Sequence, residues 1–456
     1  MTGDDVTRRD GPRPRPGALP VDHPESPTTM AVTAEAPTQL TTDTPTAAPA
    51  EVSIEVPADA PLAGADVRPA RKLDYADPLG LDAELTVHEL DVRARTRAFA
   101  RERLAPNIAT WWEEESLPRD LIREIGALGI LGMTHQEGGE AHAVAYGLAA
   151  AELEYVDSGL RSLFSVQSSL AMTAIYTFGS DEQREQYLPG MRTGDILGAF
   201  ALTEPNSGSD PGSMTTTARR DVGGDWVLDG YKRWSTNAFA ADIVIVWAVT
   251  DDGVRGFVVP TDGEGMELRR VSGKFSLRAT NATEFELHGV RLPADAVLPN
   301  VTGLRGPLTC LTEARYGIAW GVLGAARACL ETALDHAETR VQFDRPIAGF
   351  QLTQAKLADM LLKYTHAQLL ALRLGRLKQA GQLKPEQVSM GKLANVGSAL
   401  EIARTARTIL GGNGITDMFP VMRHMANLES VLTYEGTAEV HTLVIGHALT
   451  GEQAFR

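Results

Sequence analysis

The chain has 456 residues, 22% of them charged and 43% hydrophobic, a formal charge of −16, and two cysteines, Cys310 and Cys329. That length exceeds one simple core and fits two or three domains able to bury a large cofactor. The acidic balance works against nucleic acid and anionic membranes, no apolar run reaches bilayer length, and two cysteines are too few for a disulfide framework or a Cys-rich zinc site. The reading is a soluble protein of a reducing compartment, with no nucleic-acid partner and no membrane insertion.

Residues 1–72 are of a different composition, with 12 of the 25 prolines falling before Ala70. Such a Pro/Ala/Thr-rich stretch buries too little apolar surface to offset chain entropy, and it lacks both the apolar core of a secretion signal and the character of an Arg-rich transit helix. It is expected to be a disordered tail on a cytoplasmic protein. In residues 73–198 apolar positions recur three and four apart, as in Leu121-Ile-Arg-Glu-Ile125 and Leu148 to Tyr155, and predict a helical domain. In residues 199–305 the period switches to two. Asp225 to Leu228, Ile243 to Trp247 and Phe285 to His288 are the candidate strands, with Asp229-Gly230 and Asp251-Asp252-Gly253 as turn signals. Residues 306–456 return to long helical patterns over Cys310 to Thr339, Gln354 to Ala380 and Pro385 to Leu410, the last stopped by Gly411-Gly412. No internal repeat is present.

Several short segments carry chemistry. Phe200-Ala-Leu-Thr-Glu-Pro-Asn-Ser-Gly-Ser-Asp210 is dense in small and hydroxyl residues, so its backbone N–H groups can approach an electron-rich ring or a pyrophosphate. Tyr434-Glu435-Gly436-Thr437 places a carboxylate in a turn. Trp234-Ser235-Thr236-Asn237, the trio Arg340, Phe343 and Gln351, and Thr408 to Gly414 complete the set. Each alone is weak: a turn glutamate is commonly at the surface, a strand tryptophan is commonly buried, and a glycine run commonly just ends a helix. In this order and spacing, from about Asp74 to the C-terminus, they resemble the acyl-CoA dehydrogenase family. Glu154, Asp157-Ser158-Gly159, Arg161-Ser162 and Ser165 to Ser169 narrow the resemblance to glutaryl-CoA dehydrogenases.

The resemblance implies an α+β multidomain fold: an N-terminal helical domain, a middle β domain and a C-terminal four-helix bundle. It makes Glu435 the base that removes the α-proton of an acyl thioester. A free carboxylate, with a pKa near ~4.3, is a poor base, and a desolvated pocket raises its proton affinity. FAD would be held by Phe200, Leu202, Thr203, Gly208, Ser209, Trp234, Ser235, Thr236, Arg340, Phe343, Gln351, Thr408, Leu410, Gly411, Gly412, Thr437 and Phe455. In relatives the bundle residues among these reach the FAD of a neighbouring subunit, which implies a homotetramer.

Substrate would be held by Glu154, Arg161, Ser162, Ser209, Leu308, Thr309, Thr312, Arg315, Tyr434 and Gly436. A glutaryl thioester ends in a second carboxylate, which is costly to bury without a cation, and the planar guanidinium of Arg161 can grip it through two hydrogen bonds. Read alone, Arg161 serves equally well as a structural ion pair with Glu154 or Asp157. The implied reaction converts glutaryl-CoA to crotonyl-CoA and CO2, with electrons leaving through an electron-transferring flavoprotein. The alternatives are a dehydrogenase or oxidase for another short acyl-CoA and a non-catalytic flavin-binding stress-response scaffold. Three departures from the family pattern stand out: Asp344 where glycine is common, Thr312 and Glu313 in place of amides, and a short loop at His135 to Ala143 bordering the acyl pocket. Its two histidines, His135 and His142, are expected to be solvated rather than metal ligands.

Overall fold

The structure, a computed structural model, describes residues 72–136 and 139–454. The expected tail and Phe455 lie outside these residues.

The helical first third begins with α1 (Val87–Phe99), set by a capping box in which Thr86 and Glu89 exchange side-chain to backbone hydrogen bonds. The carboxylate of Glu89 also takes Arg376, tying this helix start to the C-terminal helices. Short helices α2 (Ile108–Glu113) and α3 (Leu121–Ala127) follow. Next, α4 (Ala143–Val156) is buried on nearly every side, as an Ala-rich helix with no polar face must be. Of its two buried acids, Glu152 is neutralised by Arg97 and Arg327. Helices α5 (Ser158–Ser165) and α6 (Thr173–Phe178) are joined by a π-helical turn over Val166–Met172, and α7 (Asp181–Thr193) closes the region.

From the π-helical turn, Gln167 donates to the carbonyls of Met191 and Ile196 and accepts from Gly198 N at 2.7 Å, fixing where the first strand starts. The strands are β1 (Gly198–Ala201), β2 (Thr217–Arg220), β3 (Trp226–Thr236), β4 (Ile243–Thr250), β5 (Gly253–Pro260), β6 (Met266–Arg270) and β7 (Ala282–Leu292). They form one sheet in the order β1-β4-β2-β3-β7-β6, with β5 paired antiparallel to β4. Asp251-Asp252 is the tight turn expected between β4 and β5, with Gly253 following at φ 102°. Asp229-Gly230 is not a turn. It lies inside β3 at a register shift against β7, and Gly230 is required there because a Cβ would stand 2.4 Å from Thr216 Oγ1.

Three long helices follow, α8 (Arg305–Thr339), α9 (Gln351–Gln379) and α10 (Pro385–Ile409), with the small hairpin β8 (Val341–Gln342) and β9 (Arg345–Pro346) between the first two. Asn395 of α10 donates to Ala319 O and Ala367 O, pinning all three together in the core. Two shorter helices, α11 (Val421–Thr433) and α12 (Ala438–Thr450), end the described chain. No helix among the described residues is long and apolar enough to cross a membrane.

Candidate active site

The break between α11 and α12 holds the candidate base, Glu435. Tyr434 caps α11, Glu435 follows at φ 54° and Gly436 at φ 97°, and Thr437 starts α12 by accepting Val440 N at 3.3 Å. A left-handed glutamate costs about 1–2 kcal/mol, so neighbours must hold it. Arg315 of α8 donates Nε to Glu435 O at 2.6 Å, and Lys392 of α10 donates Nζ to the carbonyls of Tyr434 and Gly436. The Oε2 atom of Glu435 is buried and takes no hydrogen bond among the described residues. Burial pushes the Glu435 carboxyl above the usual carboxylate range, outweighing the nearby Arg161, Lys392 and Arg315.

Beside it stands a closed polar cluster. Glu154 of α4 is fully buried and accepts Arg161 Nε and Ser158 Oγ, each at 2.8 Å. Arg161 of α5 donates Nη2 to the Tyr434 hydroxyl, and Ser162 is hydrogen-bonded to the same tyrosine. Burial works to lower the Arg161 pKa, but Tyr434, Glu154 and Glu435 outweigh it and hold the guanidinium above the ordinary arginine range. Burial pushes the Tyr434 phenol up to about 12. Of the two ion pairs the sequence allows for Arg161, only the one with Glu154 forms. Asp157 instead caps α5 through Gly159 N at 2.7 Å and takes Arg423 and Asn427.

Two residues of this cluster escape motif reading. Lys392 sits mid-helix among small and apolar residues. Gly321 of α8 leaves the space that Glu154 occupies, since a Cβ there would come within 2.3 Å of Glu154 Oε2. An isolated glycine inside a long helix is the one sequence signal that points to such a close approach.

The loop after β1 is held from below. Lys232 of β3, fully buried, donates Nζ to Leu202 O at 3.0 Å and to Glu204 Oε1 at 2.9 Å. Glu204 also accepts the N–H groups of Thr215 and Thr216. Phe200 and Leu202 are buried in a core cluster with Trp247, while Gly208 and Ser209 are exposed and a Cβ on Gly208 would meet open space. A second register shift in β3, between Lys232 and Ser235, puts Trp234 at φ 63° and leaves it 53% exposed, the most exposed residue of that strand, next to Arg233, whose N–H bonds Thr203 O. Ser235 Oγ is buried without a partner among the described residues, and Thr236 is half-buried. An outward-turned indole beside a loop of open backbone donors suits a planar flavin joined to pyrophosphate.

Arg340, Phe343, Gln351, Thr408, Gly411 and Gly412 are exposed, and Leu410 is buried. Phe343 and Asp344 form the two-residue turn of the β8–β9 hairpin with φ 51° and 63°, the double left-handed turn that suits Asp but strains Phe. Phe343 is 88% exposed and, with Phe350 and Thr408, lines a cavity of about 290 Å³. Among the described residues no hydrogen bond, ion pair or ring contact joins these bundle residues to the Thr203 to Asp210 loop. Leu308, Thr309 and Thr312 occupy the first turns of α8. Thr312 borders a cavity of about 110 Å³ beside the Glu313–Lys378 ion pair at 2.9 Å.

His135 departs from expectation. It is buried, bonded to Thr173 Oγ1 at 3.1 Å and depressed to about 3, chiefly by burial, because the short loop folds inward against the π-helical turn. His142 lies 3.2 Å from His88.

Residues 86–195, 199–290 and 302–450 match, respectively, the acyl-CoA dehydrogenase N-terminal, middle and C-terminal domains. The short-chain specific acyl-CoA dehydrogenase, mitochondrial, of Bos taurus is 36% identical over 369 residues, covering 78% of this chain and 89% of that protein. A solved glutaryl-CoA dehydrogenase from Mycobacterium smegmatis superposes with a TM-score of 0.82 at 58% identity, covering 85% of this chain and all (100%) of that one. A second from the same organism, described as in complex with FADH2, gives 0.82 at 51%, covering 84% and 100%. With a fold and site of this kind and relatives matched over most of their length, the chain belongs to the acyl-CoA dehydrogenase family.

Proposed function

We propose that this protein is an FAD-dependent acyl-CoA dehydrogenase that oxidises and decarboxylates glutaryl-CoA to crotonyl-CoA and CO2. The observation that carries the reading is the buried Glu154–Arg161–Tyr434 cluster next to a desolvated Glu435. A guanidinium within electrostatic reach of the base can meet the distal carboxylate of a dicarboxylic acyl chain, which is otherwise expensive to bury. The high identity to glutaryl-CoA dehydrogenases supports the same substrate.

FAD is the cofactor, and when bound it accepts the hydride leaving the β-carbon. Phe200, Leu202, Thr203, Gly208, Ser209, Trp234, Ser235, Thr236 and Thr437 hold it from one chain. Arg340, Phe343, Gln351, Thr408, Leu410, Gly411 and Gly412, for which no hydrogen bond, ion pair or ring contact to that loop is found among the described residues, serve a neighbouring copy in a homotetramer. Glu435 takes the α-proton; its raised proton affinity brings it closer to the acidity of a thioester α-carbon. Arg161, held by Glu154 and Tyr434, orients the far carboxylate with Ser162. Departure of CO2 leaves an electron pair delocalised into a dienolate on the thioester oxygen, and uptake of one proton gives crotonyl-CoA. Leu308, Thr309, Thr312, Arg315, Ser209 and Gly436 contact the CoA thioester. An electron-transferring flavoprotein is the electron acceptor, and the cytoplasm the location.

One observation favours a second reading. Glu154 already neutralises Arg161, and the Bos taurus relative is named for short chains, so the guanidinium can be structural and a short monocarboxylic acyl-CoA the substrate. Purified protein assayed with glutaryl-CoA and butyryl-CoA, an artificial electron acceptor and mass analysis of the product separates the two. Crotonyl-CoA from glutaryl-CoA, with release of CO2, is the expected result. Oxidation of butyryl-CoA alone would replace the proposal with the second reading.

A further inference from the structure

Lys392 lies in the middle of α10 with 1% of its surface exposed, a position where an ammonium is costly unless partnered. Its partners are the carbonyls of Tyr434 and Gly436, and its Nζ stands 5.9 Å from the centre of the Tyr434 ring. Glu435 is the single residue between those two carbonyls. The ammonium therefore closes a ring around it, while Arg315 takes the carbonyl of Glu435 itself. The Tyr434 carbonyl is also at the C-terminal end of α11, where the helix favours a cation. A positive-φ glutamate with no glycine freedom needs such fixation, and the two cations supply it from two different helices.

We propose that Lys392 is a positioning residue for Glu435: it locks the left-handed turn that presents the carboxylate and supplies part of the positive field that keeps it ionised. The inference rests on Glu435 being the base. The charged and titratable groups facing this turn are Glu154 from α4, Arg161 from α5, Arg315 from α8, Tyr434 and Glu435 themselves, and His441 from α12. His441 adds no charge, because burial, with Lys392 and Arg315 beside it, depresses it to about 3. Burial lowers the Lys392 pKa, against the opposing pull of Glu435. A cation beside a carboxylate favours the ionised form; without it the Glu435 pKa rises and the acidic limb of kcat/KM moves to higher pH.

The test uses flavin-loaded Lys392→Met, which removes donor and charge, and Lys392→Gln, which keeps a donor without charge. With the thioester that the wild-type enzyme oxidises, both variants should show an acidic limb displaced upward by about one pH unit. In Lys392→Met, kcat should fall by roughly 10- to 100-fold with KM changed far less, since the loss lies in orienting a base; Lys392→Gln should recover part of that rate. If the Met variant does not fold, the Gln variant decides alone. An acidic limb unmoved in a folded, flavin-loaded variant overturns the proposal whatever the rate, because a lysine needed only for packing would not shift it. A wild-type enzyme inert on both glutaryl-CoA and butyryl-CoA would instead overturn the proposed function, and this inference with it.

Discussion

Around Glu435 the side chains close on one another, with Glu154 and Arg161 buried and bonded on to Tyr434, and Arg315 and Lys392 bonded to the backbone of the turn, whereas Gly208, Ser209, Trp234, Phe343, Gln351 and Gly411 stand open at the surface. In the proposed proton-transfer half, Arg161 is paired with Glu154, and Arg315 and Lys392 clamp the strained turn through its carbonyls. The proposed flavin half offers aromatics and backbone donors that stay largely exposed among the described residues. One backbone device serves both halves. Trp234, Phe343 and Glu435 are three of only seven non-glycine residues at positive φ among those described, so strain concentrates where side chains are turned out of their expected direction. The closed half should tolerate chemical edits without losing its shape, and the open half should depend on what binds it.

The sharpest way to break this comparison is at the base. Glu435→Gln preserves size, and the atom it changes has no partner to lose. It should keep fold and flavin while α-proton exchange and flavin bleaching fall by ~10³-fold or more, near the upper range for one general base. Stopped-flow bleaching close to the wild-type rate would remove Glu435 from the chemistry.

Arg161 tests whether the closed half also selects substrate. A buried carboxylate deprived of its cation loses roughly 2–5 kcal/mol, or about 30-fold to several thousandfold. Arg161→Gln should therefore damage kcat/KM on glutaryl-CoA by at least that lower factor beyond its effect on butyryl-CoA. Equal losses on both would confine Arg161 to holding Glu154 and Tyr434, and would direct the search for specificity to the loop at His135 to Ala143.

Assembly tests the open half. Phe343→Ala removes an exposed, strained aromatic that packs against no core, so monomer stability should stay within about 1 kcal/mol or improve. Flavin affinity should fall, by roughly tenfold for one aromatic contact, and loss of colour should track dissociation of the oligomer on dilution. A monomer that keeps full flavin would show the open half to be complete by itself.

The comparison also marks what the sequence made legible. Period-three patterns and runs of apolar residues located α4, α8, α9, α10, β3, β4 and β7, because each of those elements buries a continuous apolar surface. Asp229-Gly230 misled because the same dipeptide serves a turn and a bulge, and only the pairing of β3 with β7 decides between them. His135 misled because a polar local sequence says nothing about which way a short loop folds. The motif residues around Glu435 were legible as types, yet Lys392 and Gly321 were not: their roles exist only where α10 and α8 cross distant segments.

The smallest effect on turnover is expected at Glu204 and Lys232, where the open half borrows a device of the closed one. Burial works against the Glu204 anion, but bonds from Thr216, Lys232 and Thr215 win and hold it at about 2, against an ordinary 4.5; burial drags Lys232 down to about 8 despite Glu204. The two shifts act on folding with opposite signs. The depressed carboxyl contributes stability that is present above pH 4.5 and lost as pH falls through about 2. The depressed ammonium opposes folding below about 8, and that penalty is relieved as pH rises from there toward 10.5. The two contributions oppose each other at pH 7, and the pair fixes Leu202 O and the loop above it. Removing one partner strands the other, so Glu204→Gln should cost about 3 kcal/mol at pH 7, with part of the loss recovered toward pH 10 as Lys232 deprotonates. Glu204→Gln combined with Lys232→Met should cost clearly less than the single change. Thermal melts of the flavin-loaded proteins across pH 2–10 give the comparison, and a double variant no more stable than the single one would mean that the bonds to Thr215 and Thr216, not the ion pair, hold the loop.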